Sequence, residues 1–423
     1  MASSLIEMGK KAREASYHLG RAATEQKNLA LQTLAKNLLN GSETILEANK
    51  RDITEATAAG MEAAMLDRLS LQGRLEGIVE DTRNLVSLPD PVGKEIESRT
   101  LPNGLSLVKR RIPIGVLGVI YESRPNVTID VAALAIKTGN CALLRGGSEA
   151  LHTNRALISI IQNSLDRVDL PSFAIQFIDC PDRALVTELL HLHEYVDLII
   201  PRGGAGLHTF CRENSRIPVI TGGVGVCHLF VDESAEQERA LEVIHNAKTQ
   251  RPSVCNAIDT LLVHESIAKD FIPKSLDKLH QSGVSFRLDP AAWQIFESQK
   301  DSLKADCQPV QDKDWDTEWL RLILGIRVVK NLDEAITHIR EHATGHSDGI
   351  LTENETHADR FVDEIDSSCV YVNASTRFTD GSQFGLGAEV AISTQKLHAR
   401  GPMGPEELTT YKWVIKGNYH IRN

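Results

Sequence analysis

The chain has 423 residues, 42% hydrophobic and 24% charged, which excludes a disordered chain or a coiled rod and suits two or three globular domains. Its 57 acidic and 46 basic residues leave a net charge of −11, which argues against a general nucleic-acid binder but allows a locally positive cleft for an anionic small molecule. No apolar run reaches the roughly 20 residues that cross a bilayer, and residues 1–16 lack the basic start and apolar core of a secretory signal. The expectation is a cytoplasmic protein with no membrane partner. Its seven cysteines, Cys141, Cys180, Cys211, Cys227, Cys255, Cys307 and Cys369, form no C-x-x-C pair, so they read as free and mostly buried thiols.

The first ninety or so residues read as helices. Leu31, Leu34 and Leu38 share a face, Asn40-Gly41 is a stop, and Ser42 is placed to cap a helix over 43–50. Residues 98–111, with Asn103-Gly104 at the tip, look like a hairpin, either an ordinary edge hairpin or one that pairs between subunits. The apolar run 112–120 reads as one strand, 130–138 as a helix stopped at Gly139-Asn140, and 141–144 as a short strand. Further buried strands are expected at 173–178, 196–200, 217–220 and 227–231. After Cys255 come strands at 260–263, 284–286 and 324–329 and a helix at 331–340. The polar segment 297–315 stays unassigned, and the tail 411–421 reads as a strand region. Apolar strands alternating with helices mean parallel sheet covered on both faces.

Neither G-x-x-x-x-G-K-[ST] nor G-x-G-x-x-G occurs, so a P-loop is not expected and the usual Rossmann fingerprint is missing. His342 and His346 have a metal-like spacing, but the carboxylate of H-E-x-x-H is absent and Gly345 intervenes, so no metal is expected. Lys109-Arg110-Arg111 suits a solvated strand face as well as a binding patch. The informative segment is 246–257, where Cys255 stands in a polar loop with Arg251 and Pro252 between a helical run and an apolar strand. Catalytic groups favour such loops, and a neighbouring cation lowers a thiol pKa from about 8.5. The plainer alternative is that Cys255 is the first buried residue of the next strand.

Several segments together resemble the gamma-glutamyl phosphate reductases, also called glutamate-5-semialdehyde dehydrogenases, of the aldehyde dehydrogenase superfamily. They are VIYESRPNVT at 119–128, LRGGSE at 144–149, IIPRGGAG at 199–206, AKTQRPSVCN at 247–256, VNASTRFTDG at 372–381 and KLHARGPMG at 396–404. The resemblance spans nearly the whole chain and leaves no room for a fused glutamate kinase domain. It implies an α/β fold of aldehyde dehydrogenase type, with two doubly wound α/β domains and a small β oligomerisation hairpin. A NADP-binding domain would combine 1–92, 112–236 and 344–392; a catalytic domain would take 237–343; and 93–111 with 393–423 would bridge subunits.

The same resemblance implies roles for single residues. Cys255 matches the nucleophile and Asn126 the oxyanion-stabilising amide. Arg145, Ser148 and Glu149 match the strand end at the adenosine ribose, and Gly203 and Gly204 match the turn that meets the pyrophosphate. Glu318 matches the carboxylate at the nicotinamide ribose. Arg124, Arg377 and Asp380 are candidates for the substrate's α-carboxylate and α-ammonium groups. Hydrolytic relatives keep a glutamate base before the cysteine helix; here the segment is TGGVGV at 221–226, without a carboxylate. The implied reaction is reduction of L-glutamyl 5-phosphate by NADPH, in a homo-oligomer functionally coupled to glutamate 5-kinase. Two other readings remain open: a cysteine hydrolase or acyl transferase served by His245 or His264, and a catalytically silent NADP-binding scaffold.

Overall fold

Five helices lead the chain in the computed structural model, which describes residues 4–222 and 224–422. They are α1 (Leu5–Leu19), α2 (Thr24–Asn40), α3 (Ser42–Ala58), α4 (Ala63–Leu69) and α5 (Leu75–Ser87). Helix α3 runs well past the expected 43–50 and takes Ser42 inside it, with Gly41 at the N-cap. Two polar residues on its buried stripe, Asn49 and Asp52, disguise its length. Asn49 pairs with Leu69 O and Leu71 N–H, while Asp52 accepts the His152 and Thr153 N–H groups at the start of a later helix, Leu151–Asp166, a favourable place for an anion.

The hairpin forms as β1 (Glu95–Thr100) and β2 (Ser106–Pro113). The run 112–120 is two strands rather than one: β3 (Val116–Tyr121) starts after Gly115, whose φ of +131° breaks the line. Then follow α6 (Asn126–Thr138), β4 (Cys141–Arg145), α7 (Leu151–Asp166), β5 (Ile175–Phe177), α8 (Ala184–Leu190), β6 (Leu198–Arg202) and α9 (Ala205–Asn214). The strands make a parallel sheet in the order β5-β4-β3-β6, and every residue of β3 and β4 is buried. The strand expected at 217–220 reduces to one bridge between Val219 and Ile199, beside Pro218, which has no N–H to donate.

The second series is β7 (Cys227–Val231), α10 (Gln237–Thr249), β8 (Ile258–His264), α11 (Glu265–His280), β9 (Ser285–Leu288), α12 (Pro290–Glu297), β10 (Asp306–Pro309), β11 (Ile323–Val329), α13 (Leu332–His342), β12 (Ser347–Leu351), α14 (Glu355–Glu364) and β13 (Cys369–Val372). Its seven strands are parallel, in the order β10-β9-β11-β8-β7-β12-β13. A short ribbon, β14 (Ile392–Ser393) and β15 (Gly401–Pro402), precedes β16 (Thr409–Lys416), which pairs antiparallel with β2.

The chain divides into two units. The first runs to Thr221 and adds Gly385–Ile392 and the stretch from Pro402 onward; the second is Gly222–Phe384 with Ser393–Gly401. These units divide the chain at other points than the boundaries expected from the sequence. Residues 222–236 and 344–384 lie with 237–343, because β7, β12 and β13 hydrogen-bond into the same sheet as β8. Residues 93–111 and the last strand lie in the first unit, as the sheet β1-β2-β16.

Candidate active site

In the second unit, the loop 250–257 joins α10 to β8 and holds Cys255 half-buried, as a free thiol. The turn closes with Ala257 N–H donating to Val254 O at 3.1 Å. Asn256 anchors it: its Nδ2 donates to Thr379 O at 2.8 Å, its carbonyl accepts from Thr376 Oγ1 at 2.7 Å, and its Oδ1 accepts from Arg377. Arg377 Nε also donates to Gln250 Oε1 at 2.8 Å, so one guanidinium spans both ends of the loop. Burial lowers the Arg377 pKa from its ordinary value; Asp380 and the Cys255 sulfur oppose that shift, and Arg251 adds to it. The nucleophile candidate thus shares its loop with a positive charge. Arg377 and Asp380 also line a cavity of about 350 Å³ with Asn246, Gln250, Phe378 and Gln383.

The backbone of Cys255 is held from behind. Its carbonyl accepts from the buried Cys227 Sγ at 3.2 Å, and burial keeps that thiol's pKa well above its ordinary value. A Cβ on Gly225 would lie 1.7 Å from the Cys255 oxygen, so only glycine fits there. Gly225 N–H donates to Glu318 Oε1 at 3.0 Å. Glu318, from another segment, thus lies against 221–226 with Oε1 taken up by the Gly225 N–H, and Gly223 lies outside the described residues. Cys255, Gly225 and Glu318 all precede strands of one parallel sheet, β8, β7 and β11.

Beneath this cluster lies a pair not anticipated from sequence. Lys248, fully buried on α10, donates to Ile258 O at 2.8 Å and sits 3.4 Å from Asp259 Oδ1, which also accepts Trp319 N–H at 3.2 Å. Burial lowers the Lys248 pKa and raises that of Asp259 to about 6. The signal was present: Lys248 falls on the same apolar stripe as Leu241, Ile244 and Ala247. His342 and His346 are apart in function: His342 pairs with Asp316 at 2.8 Å, and the buried His346 faces Ser347 Oγ at 2.8 Å.

In the first unit, the other candidates follow the carboxyl ends of β3, β4 and β6, where open α/β sheets bind ligands. Arg124 and Asn126 follow β3; Asn126 opens α6 and donates from Nδ2 to Asp130 Oδ2 at 2.9 Å. Burial raises the Asp130 carboxyl to about 7, against the pull of Asn126 and Arg202, and Asp81 adds to the rise. At the end of β4, Arg145 is only 7% exposed and directs Nη1 to Gly146 O and Nη2 to Pro181 O. Ser148 is exposed, and Glu149 folds back onto Ser123. After β6, Gly203 and Gly204 open α9, and Gly204 N–H donates to Glu122 Oε2 at 3.1 Å. The N–H at that helix start donates to an anionic oxygen, the kind of partner a dinucleotide phosphate offers, and a Cβ on Gly204 would meet nothing within 4 Å. These are the residues that would hold a nicotinamide dinucleotide.

Comparison with known proteins agrees with this geometry. The model of the aldehyde dehydrogenase family matches residues 5–303. The gamma-glutamyl phosphate reductase of Photobacterium profundum is 54% identical over 420 residues, 99% of this chain and all of that protein. That of Vibrio cholerae is 55% identical over 420 residues, again 99% of this chain and all of the relative. The crystal structure of the Thermotoga maritima gamma-glutamyl phosphate reductase superposes with a TM-score of 0.95 at 49% identity, covering 100% of both chains. An acetylating aldehyde dehydrogenase from Geobacillus thermoglucosidasius, at 18% identity and a TM-score of 0.69, covers 98% of this chain and 97% of its own, and shares the fold. The chain belongs to the aldehyde dehydrogenase family. Within it, the chain is most informatively grouped with the gamma-glutamyl phosphate reductases it matches end to end.

Proposed function

We propose that this protein reduces L-glutamyl 5-phosphate to L-glutamate 5-semialdehyde with NADPH, releasing phosphate, in the second step of L-proline synthesis from glutamate. The observation that carries the reading is 54–55% identity, across the whole chain, to enzymes named for that reduction. Cys255 as thiolate attacks the acyl carbon, and phosphate departs with the electrons of the broken C–O bond. This divides one difficult reaction into two. The nicotinamide, when bound, supplies the hydride that reduces the thioester. Collapse of the resulting thiohemiacetal releases the aldehyde and restores the thiolate. The Cys255 backbone N–H and the Asn126 amide serve as oxyanion donors. Arg377 and Asp380, in their shared cavity, suit the α-carboxylate and α-ammonium of the substrate.

Glu149, Ser148 and the start of α9 hold the cofactor, with Glu318 toward the nicotinamide ribose; Arg145, its Nη atoms on Gly146 O and Pro181 O, backs the adenosine end from beneath. A cytoplasmic homo-oligomer working after glutamate 5-kinase completes the reading. A cysteine hydrolase is less well supported, because His245 bonds Ser282 Oγ at 2.8 Å and His264 caps α11. A silent scaffold would leave the loop around Cys255 without a purpose. NADPH absorbance tests all three readings, with glutamate semialdehyde, phosphate and NADP⁺ run in reverse. Turnover that depends on Cys255 supports the proposal; absence of any nicotinamide-dependent reaction would sink it.

A further inference from the structure

Between β3 and α6 the chain must reverse within Glu122–Pro125. Arg124 precedes Pro125 and is disfavoured from helical geometry, and Pro125 has its own φ fixed. The reversal therefore falls on Ser123, which adopts φ +39°, a left-handed conformation costly for any residue with a Cβ. One carboxylate holds it there. Glu149 Oε1 accepts both the Ser123 N–H at 2.6 Å and the Ser123 Oγ–H at 2.7 Å. Ser123 is 3% exposed, so those donors have little recourse to water. Gly147 leaves the room this requires, because a Cβ there would lie 2.1 Å from Glu149 Oε1.

We infer that Glu149 is a positioning residue for the loop bearing Arg124 and Asn126: by fixing Ser123 in its left-handed turn it sets where α6 begins. This rests on the reaction proposed above, and it adds to Glu149 a task separate from any contact with the cofactor. One side chain then ties the end of β4, on the cofactor side, to the segment that supplies the oxyanion amide.

Three variants separate the two tasks. Glu149→Gln keeps an oxygen that can accept both Ser123 donors, so the left-handed turn at Ser123 should persist in it, whatever the change does to cofactor binding. Glu149→Ala should lower kcat at saturating NADPH at least tenfold. Adding Ser123→Gly to Glu149→Ala should recover a third or more of the lost rate, since glycine reaches φ +39° without the Cβ penalty. Independently of activity, hydrogen exchange of the Ser123 amide should accelerate at least tenfold in Glu149→Ala without cofactor and remain slow in Glu149→Gln. A Glu149→Ala enzyme altered only in its KM for NADPH, with unchanged Ser123 exchange, would overturn the inference. Loss of all nicotinamide-dependent turnover in the wild type would refute the proposed reaction instead, and the exchange result would still decide the role of Glu149.

Discussion

Removing the Cys255 sulfur, as in Cys255→Ala, should cost at least roughly 10³-fold in reductase turnover, the scale of a lost covalent nucleophile. A variant that keeps a tenth or more of wild-type turnover in the NADPH assay would contradict the thioester. Cys141, buried in β4, is a suitable control, whereas Cys227 is not, because its thiol donates to the Cys255 carbonyl. Asp130 offers a second test at this scale. Its folded pKa of about 7 lies above the unfolded value of roughly 3.9. A carboxyl raised in this way favours the folded state at low pH and penalises it as pH rises through about 7. Asp130→Asn keeps a hydrogen-bonding partner for Asn126 and removes the penalty. Its melting temperature should therefore gain more at pH 8 than at pH 5, and any inflection near pH 7 in kcat/KM should flatten. Equal gains at both pH values would show that Asp130 does not titrate there.

The loop carrying Cys255 is an element closed at its base by Lys248 and Asp259, which join the last turn of α10 to the start of β8 and to Trp319 beside Glu318. Breaking a buried pair from one side leaves an uncompensated charge, so Lys248→Met or Asp259→Leu alone should cost about 3–5 kcal/mol. The double variant Lys248→Met/Asp259→Leu should recover most of that in urea unfolding. A double variant as unstable as the sum of the singles would show that the two do not act as a pair. Elements of this kind were only partly legible in the sequence. Cys227–Val231 was placed to the residue, because four apolar residues interrupted only by His228, with turn signals on both sides, have few other uses. The break at Gly115 was invisible, since glycine and proline interrupt the 112–120 run without lowering its hydrophobicity. The polar stripe of α3 and the buried Lys248 escaped for the opposite reason: a polar residue reads as exposed until its partner is known.

At the scale of the whole molecule, the alternation of strands and helices was enough for the α/β class, while membership of sheets was not. Strands β7 and β12 pair although 120 residues separate His228 from its partner Asp348, and nothing local in a parallel pair announces its neighbour. The site shows the same division. Cys255 stood out from its loop, whereas the approach of Glu318 to Gly225 needed the folded chain. The sheet β1-β2-β16 presents Tyr411, Trp413 and Ile415, all 41–61% exposed, along its last strand. An edge of this kind invites pairing with a second copy. Truncation after Pro405, or Trp413→Lys with Ile415→Lys in the full chain, should lower the mass seen in light scattering. An unchanged mass in both would place the subunit contact elsewhere.

The most direct test of the chemistry is semialdehyde oxidation with NADP⁺ in buffers with and without phosphate. Residues 221–226 carry no acid to activate water, and a positioned general base is worth roughly 10²–10⁴-fold. Glu318, the acid that reaches this segment, has Oε1 occupied by the Gly225 N–H. Water should therefore resolve the Cys255 thioester slowly, and phosphate should resolve it well. With phosphate, NADPH should form steadily and the product should be an acyl phosphate that hydroxylamine traps; without it, NADPH should stop at a burst of about one equivalent per Cys255. Steady NADPH formation with free glutamate as the product in phosphate-free buffer would contradict the account and make this a hydrolytic aldehyde dehydrogenase.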